Sequence, residues 1–188
     1  MTYSIACIAP YKELGDLFAE VCRELQKEIL IEIGDLEEGA RKALVLEEQG
    51  VDVVISRGGT AIAIKETVTA LPVVEIQVSG FDIIRALHQA KRKAKKIAVV
   101  GFEPFTYEPD DLGDILGVDL KIVPLKKAWH DHPQYIEEQL KGIQKQQYNC
   151  VVGDNISVKI AHQLGMCGFL IKSGKEALIQ AILEAGRV

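Results

Sequence analysis

The chain has 188 residues, 48% of them apolar and 26% charged, with a formal net charge of −5 at pH 7. That length buries the core of one large domain or of two small ones. The acidic balance argues against a surface that coats nucleic acid, and the longest apolar runs are far too short to span a bilayer.

The amino terminus, MTYSIACIAPYK, has no basic segment leading into an apolar stretch and a cleavage site, so it reads as a first strand over residues 3–9 rather than a signal peptide. Leu14, Leu17, Phe18, Val21, Cys22 and Leu25 then recur at the spacing of one helix face. Further apolar bursts at 30–33, 51–56 and 73–76 predict strands, followed by a helix in SGFDIIRALHQAKRKAKK that ends in a basic cluster. Strands are predicted again at 96–101, 120–123, 150–153 and 168–172. Ile136, Leu140 and Ile143 mark a late amphipathic helix, and Leu178, Ile182 and Ala185 mark the last one. Strand and helix alternating through short polar connections mean parallel sheets covered by helices on both faces. The fold class is α/β: two parallel-sheet lobes with flanking helices and an interlobe cleft. The first lobe is expected over 1–79 and the second over 80–172. Residues 173–188 form a carboxyl-terminal helix that packs back on the first lobe or leads to an output domain.

The two halves echo each other. VDVVISRGGTAIAIKE has a counterpart in YNCVVGDNISVKIAHQLG, and YSIACIAP in KIAVVGFEP. Ligands of open parallel sheets sit beyond the carboxyl ends of the strands, so the turns that end these units are the places to search. Ser56-Arg57-Gly58-Gly59-Thr60 ends the third strand. Consecutive glycines allow positive φ and bare N–H groups, the following helix adds its positive end, and Arg57 is suited to gripping a carboxylate or phosphate. A plain turn with a solvated arginine is the competing reading, and the position in the topology favours the ligand loop. Thr60 would offer a hydroxyl.

Gly153-Asp154-Asn155 is the equivalent turn of the second half, where helix capping and ligand contact stand level. Ser79-Gly80 precedes a helix with Asp82 in its first turn. An ordinary N-cap is the stronger reading there, with a ligand contact as the other. Pro10, at the cleft end of the first strand, and Lys172, a charge at a strand end, complete the candidate ligand-binding set.

Other features read as structure. The cations Lys91, Arg92, Lys93, Lys95 and Lys96 suit the last turn of a helix. Trp129-His130-Asp131-His132-Pro133 lacks third and fourth ligands of zinc type, so no metal is expected. Cys7, Cys22, Cys150 and Cys167 show no CxxC spacing and are expected as buried free thiols in a reducing, cytoplasmic setting. No GxSxG, HExxH or paired-cysteine motif occurs, and no catalytic residue or cofactor is expected. Two-lobed amino-acid racemases need a cysteine at the cleft end of a strand in each lobe. Here Cys7, Cys150 and Cys167 sit inside or at the start of their strands.

DVVISRGGTA, LPVVEIQVSGFDIIRAL, KIAVVGF and VVGDNISVKIAHQLGMCGFLIKSGKEALIQAI together resemble the amino-terminal sensor domain of propionate-catabolism-type regulators. Those are sigma-54-dependent transcriptional activators of the broad NtrC class. The resemblance implies a periplasmic-binding-protein-like sensor preceding an AAA+ ATPase and a helix-turn-helix domain, with 2-methylcitrate as the signal of the namesake. Ser56 to Thr60 match the family's glycine-rich loop, Ser79, Gly80 and Asp82 its SGxD turn, and Gly153 to Asn155 the loop of the matching strand. Neither GxxxxGK nor a recognition helix lies within these residues, so the ATP and DNA functions it implies belong elsewhere.

The expected function is therefore that of a cytoplasmic sensor domain for a di- or tricarboxylate. Its partners would be that anion and the downstream ATPase and helix-turn-helix domains, with no nucleic-acid or membrane contact by this segment. Homodimerisation is left open. The alternative is a two-lobed enzyme on a carboxylate, such as a uroporphyrinogen-III-synthase-like cyclase.

Overall fold

In the computed structural model, which describes residues 4–102, 110–125 and 132–188, eight strands alternate with eight helices among the described residues. Residues 129–131 of the Trp-His-Asp-His motif, and the side chain of His132, lie outside that set. The chain divides into two units: Met1–Gln77 with Ser173–Val188, and Val78–Lys172.

The first unit contains β1 (Ile5–Ala9), α1 (Lys12–Glu24), β2 (Leu30–Ile33), α2 (Leu36–Glu48), β3 (Val53–Ser56), α3 (Gly58–Thr67) and β4 (Val73–Glu75). Its sheet is parallel throughout, in the order β2-β1-β3-β4. Successive side chains of a strand point to opposite faces, and here both faces are covered. Cys7, Ala9, Val53 and Ile55 meet Leu14, Phe18 and Val21 of α1 on one side. Ala6, Ile8 and Val54 meet Ala43 and Leu46 of α2 and Ile64 of α3 on the other. That is why the central strands are apolar without alternation. Burying each large side chain contributes about 1.5–3 kcal/mol.

The last helix, α8 (Lys175–Ala185), belongs to this unit and sends Leu178, Ala181, Ile182 and Ala185 into the same core as α1. Lys175 Nζ donates to Glu20 at 2.7 Å and to Glu24 at 2.6 Å. These ion pairs are partly exposed, so the apolar face does most of the docking.

The second unit repeats the plan with α4 (Gly80–Ala90), β5 (Lys96–Phe102), α5 (Asp110–Leu116), β6 (Asp119–Leu125), α6 (His132–Lys145), β7 (Cys150–Gly153), α7 (Asn155–Gln163) and β8 (Cys167–Leu170). The parallel order is β6-β5-β7-β8. Ile83, Ala86, Leu87 and Ala90 of α4 pack on Ile97, Val99, Cys150 and Val152.

The strand expected over 51–56 begins at Val53 and the one over 73–76 ends at Glu75, and three further local expectations need correcting. The strand expected over 168–172 begins at Cys167 and ends at Leu170. The helix of the basic cluster ends at Ala90 with Lys91 as its C-cap, so Arg92, Lys93 and Lys95 lie past the last turn rather than within it. Cys7, Cys22 and Cys150 are buried, but Cys167 is exposed, because β8 is an edge strand and Cys167 is its first residue.

Candidate functional site

Strand order fixes where the first unit can hold a ligand. From β1 the chain passes to β2 on one side, while β3 lies on the other. Such a switch point, beyond the carboxyl ends of β1 and β3, is the usual ligand position in open parallel sheets. Pro10 and Tyr11 follow β1 there, and Arg57 follows β3.

Arg57 is only 6% exposed. Its extended backbone, φ −142° and ψ 159°, makes it the N-cap of α3, and its side chain makes no capping bond. Instead, Nη1 donates to the Tyr11 hydroxyl at 3.0 Å and to Ser173 Oγ at 2.9 Å. Both acceptors are neutral hydroxyls. A buried cation is costly unless an anion compensates it, and among the described residues no hydrogen-bond partner of Arg57 supplies one. The solvated arginine of a plain turn is thus not what occurs.

The rest of the loop is less available than its sequence suggests. Ser56 is fully buried, and its hydroxyl donates to the Ile8 carbonyl at 2.8 Å, tying β3 to β1. Thr60 is buried, and its Oγ1 accepts the Leu36 N–H at 3.1 Å, holding the tight entry to α2, where Leu36 takes φ +39°. Only Gly58 of the glycine pair takes positive φ, at +55°, with open space where a Cβ would project. Gly59 is buried within α3. The loop therefore offers the Arg57 guanidinium and the helix N–H groups rather than two hydroxyls.

In the second unit, Gly153, Asp154 and Asn155 end β7 at the corresponding switch point, between β5 and β7. A Cβ on Gly153 would lie 2.8 Å from the Val100 carbonyl oxygen and 3.1 Å from Ser157 Cβ, so only glycine fits. Asp154 caps α7, its Oδ1 accepting the Ser157 N–H at 2.7 Å. Asn155 is half-buried, and Lys172 is exposed just beyond β8.

Ser79 and Asp82 form a reciprocal capping box on α4, with Asp82 N–H to Ser79 Oγ at 3.2 Å and Ser79 N–H to Asp82 Oδ2 at 2.9 Å. Asp82 is buried and pairs with Arg85. Ser79 is thus occupied by the cap, while Gly80 is exposed.

Tyr11 and Ser173 were not among the residues singled out from sequence. Tyr11 carried a signal, because it directly follows Pro10 at a strand end. Ser173 carried none beyond a polar residue before the last helix.

Among the described residues, no three His, Cys, Asp or Glu side chains converge as a metal site, and no helix is long and apolar enough to cross a membrane. Burial raises the Cys7 thiol far above its usual range and pushes Cys150 up to about 11, which suits packing rather than nucleophilic chemistry.

Among solved structures, the chain is similar to an NtrC family transcriptional regulator from Clostridium acetobutylicum. That match has 27% identity over 100% of this chain and 96% of that one, with a TM-score of 0.87. Two further solved structures are less similar. A domain in complex with L-Trp from Streptococcus pneumonia shares 10% identity over 96% of this chain and 76% of that one, with a TM-score of 0.46. The glutamate racemase from Aquifex pyrophilus shares 15% over 98% and 84%, with a TM-score of 0.38. Comparison with curated proteins finds no match. Matched over residues 23–188 by the propionate catabolism activator family, the chain belongs to that family.

Proposed function

We infer that the chain is the signal-sensing domain of a cytoplasmic sigma-54-dependent transcriptional activator, and that it binds a small di- or tricarboxylate through Arg57. Its family and its likeness to an NtrC family regulator support the regulatory part. The carrying observation for the ligand is the buried Arg57 guanidinium at the switch point of the first sheet, hydrogen-bonded to two hydroxyls. A carboxylate there would replace neutral acceptors with a charged, bidentate one and would also meet the N-terminal N–H groups of α3.

On this reading the chain performs no turnover. Binding is its output, relayed to ATPase and DNA-binding domains elsewhere in the protein. The relay runs through Ser173, which bonds Arg57 and stands two residues before α8. A ligand shifts such an equilibrium only by its difference in affinity for the two states.

The test is calorimetric titration of succinate and citrate into wild type and Arg57→Gln. Loss of about 2–3 kcal/mol, roughly thirty- to over a hundredfold in Kd, is expected in the variant. Equal affinities in the two proteins would remove Arg57 from ligand binding.

A further inference from the structure

The second sheet sets two thiols side by side. In the parallel pairing of β7 with β8, Cys150 is the register partner of Cys167. Register partners on neighbouring strands project to the same face of a sheet. Two residues further along, Val152 and Phe169 are partners as well. Val152 belongs with Cys150 to the core under α4, and Phe169 packs against that core, so Cys167 stands on the same face. Neighbouring strands run about 4.8 Å apart, inside the roughly 4.4–6.8 Å between Cα atoms that a disulfide spans.

The two thiols differ in access. Cys150 is buried, and burial first, then the nearby Cys167, pushes its thiol up to about 11. Cys167 is exposed, because it is the first residue of an edge strand. An oxidant therefore meets Cys167, with Cys150 held beside it. The first unit has a thiol pair too, Cys7 on β1 and Cys22 on α1, but both members are buried in the core and neither gives an oxidant entry.

We propose that Cys167 and Cys150 form a reversible oxidation site of the second unit, at which a hydroperoxide oxidises Cys167 and Cys150 closes a disulfide between β7 and β8. With hydrogen peroxide, the Cys167 thiolate attacks one peroxide oxygen, the O–O bond breaks, and hydroxide leaves and takes up the thiol proton as water. The Cys150 sulfur then attacks the sulfenic sulfur, the S–O bond breaks, and the hydroxyl leaves with the Cys150 proton as a second water. The two thiols have lost two electrons to the peroxide. Cys150 never has to attack the oxidant, and its raised pKa is offset by a target already held alongside it. In a reducing compartment such a bond is transient and redox-sensing rather than structural.

Reduced wild type, Cys150→Ala and Cys167→Ser are treated with hydrogen peroxide, the remaining thiols are alkylated, and the products are read by intact mass and non-reducing peptide mapping. Wild type is expected to lose two of its four free thiols and to yield a peptide linking Cys150 to Cys167, which dithiothreitol reverses. Cys150→Ala is expected to hold Cys167 as a sulfenic acid that dimedone traps, passing to sulfinic acid in excess peroxide. Cys167→Ser, changed at an exposed position that leaves the core intact, is expected to keep all its remaining thiols. Passage of Cys167 to sulfinic acid in wild type as fast as in Cys150→Ala overturns the site. So does a Cys167–Cys167 link between chains, a first bond between Cys7 and Cys22, or no oxidation of Cys167 at all.

Discussion

Arg57 Nη1 donates to Ser173 Oγ at 2.9 Å, joining residues 116 apart in the chain at the point where the last segment returns to the first unit. The bond holds a buried cation against Ser173, one residue before the Gly174 N-cap of α8. Arg57 is therefore tied directly to the entry of that helix.

Removing this cation should affect stability as well as binding. A solvated arginine could be truncated at no cost, but Arg57→Ala leaves the buried Ser173 hydroxyl and the Tyr11 hydroxyl without their shared donor. A loss of about 1–3 kcal/mol in urea unfolding of the ligand-free protein is expected. Ser173→Ala removes one acceptor and should cost less. An Arg57→Ala midpoint equal to wild type would show that the guanidinium is not held as described.

The capping box of α4 gives a separable effect. Ser79→Ala removes the acceptor of the Asp82 N–H and should destabilise by about 1 kcal/mol, within the usual range for an N-cap. Since the hydroxyl is engaged by the helix, carboxylate affinity should stay within twofold of wild type. A large loss of affinity at unchanged stability would instead return Ser79 to the binding surface.

Glu47 predicts an acid response. One carboxylate oxygen accepts the N–H groups of Thr69, Ala70 and Leu71, at 3.0, 2.6 and 3.0 Å. The Ala70 bond leads in holding its pKa below the ordinary value. A depressed folded-state pKa contributes stability that is present above the unfolded value and is lost as pH falls through the folded one. Thermal melts of wild type and Glu47→Gln should therefore differ most near neutral pH and converge below the carboxylate range. A constant difference across pH 3–7, the window for the melts (about the carboxylate range and above), would contradict this account.

Thiol accessibility offers a direct check on the second sheet. Cys167 opens an edge strand and is exposed, whereas Cys150, its register partner on β7, is buried with its thiol raised by desolvation. A maleimide should modify one cysteine quickly in the native protein, and peptide mapping should find it at Cys167. Cys7, Cys22 and Cys150 should react only on unfolding. Rapid native labelling at Cys150 would mean that β8 does not cover β7.

Sequence alone determined what depends on neighbours a few residues apart. Alternating apolar bursts and helix-period stripes located the strands of both sheets. Ser79 with Asp82 announced a cap because a cap reaches only three residues ahead, and Gly153-Asp154-Asn155 announced a turn whose capping residue the structure then fixed as Asp154. Positive φ in the glycine pair was legible for the same reason, although only Gly58 takes it.

Only the tertiary structure decided which polar groups were already engaged. Ser56 and Thr60 looked like ligand hydroxyls, yet their partners, the Ile8 carbonyl and the Leu36 N–H, arrive from 48 and 24 residues away. Arg57 looked solvated or ligand-facing until burial and Ser173 defined it. The unpaired Oδ2 of Asp154 had no sequence signal, because an absent partner is a property of the packed surroundings. Periodicity and capping are short-range and leave a pattern along the chain. Desolvation and long-range hydrogen bonding are set by what folding brings alongside, and no local pattern records them.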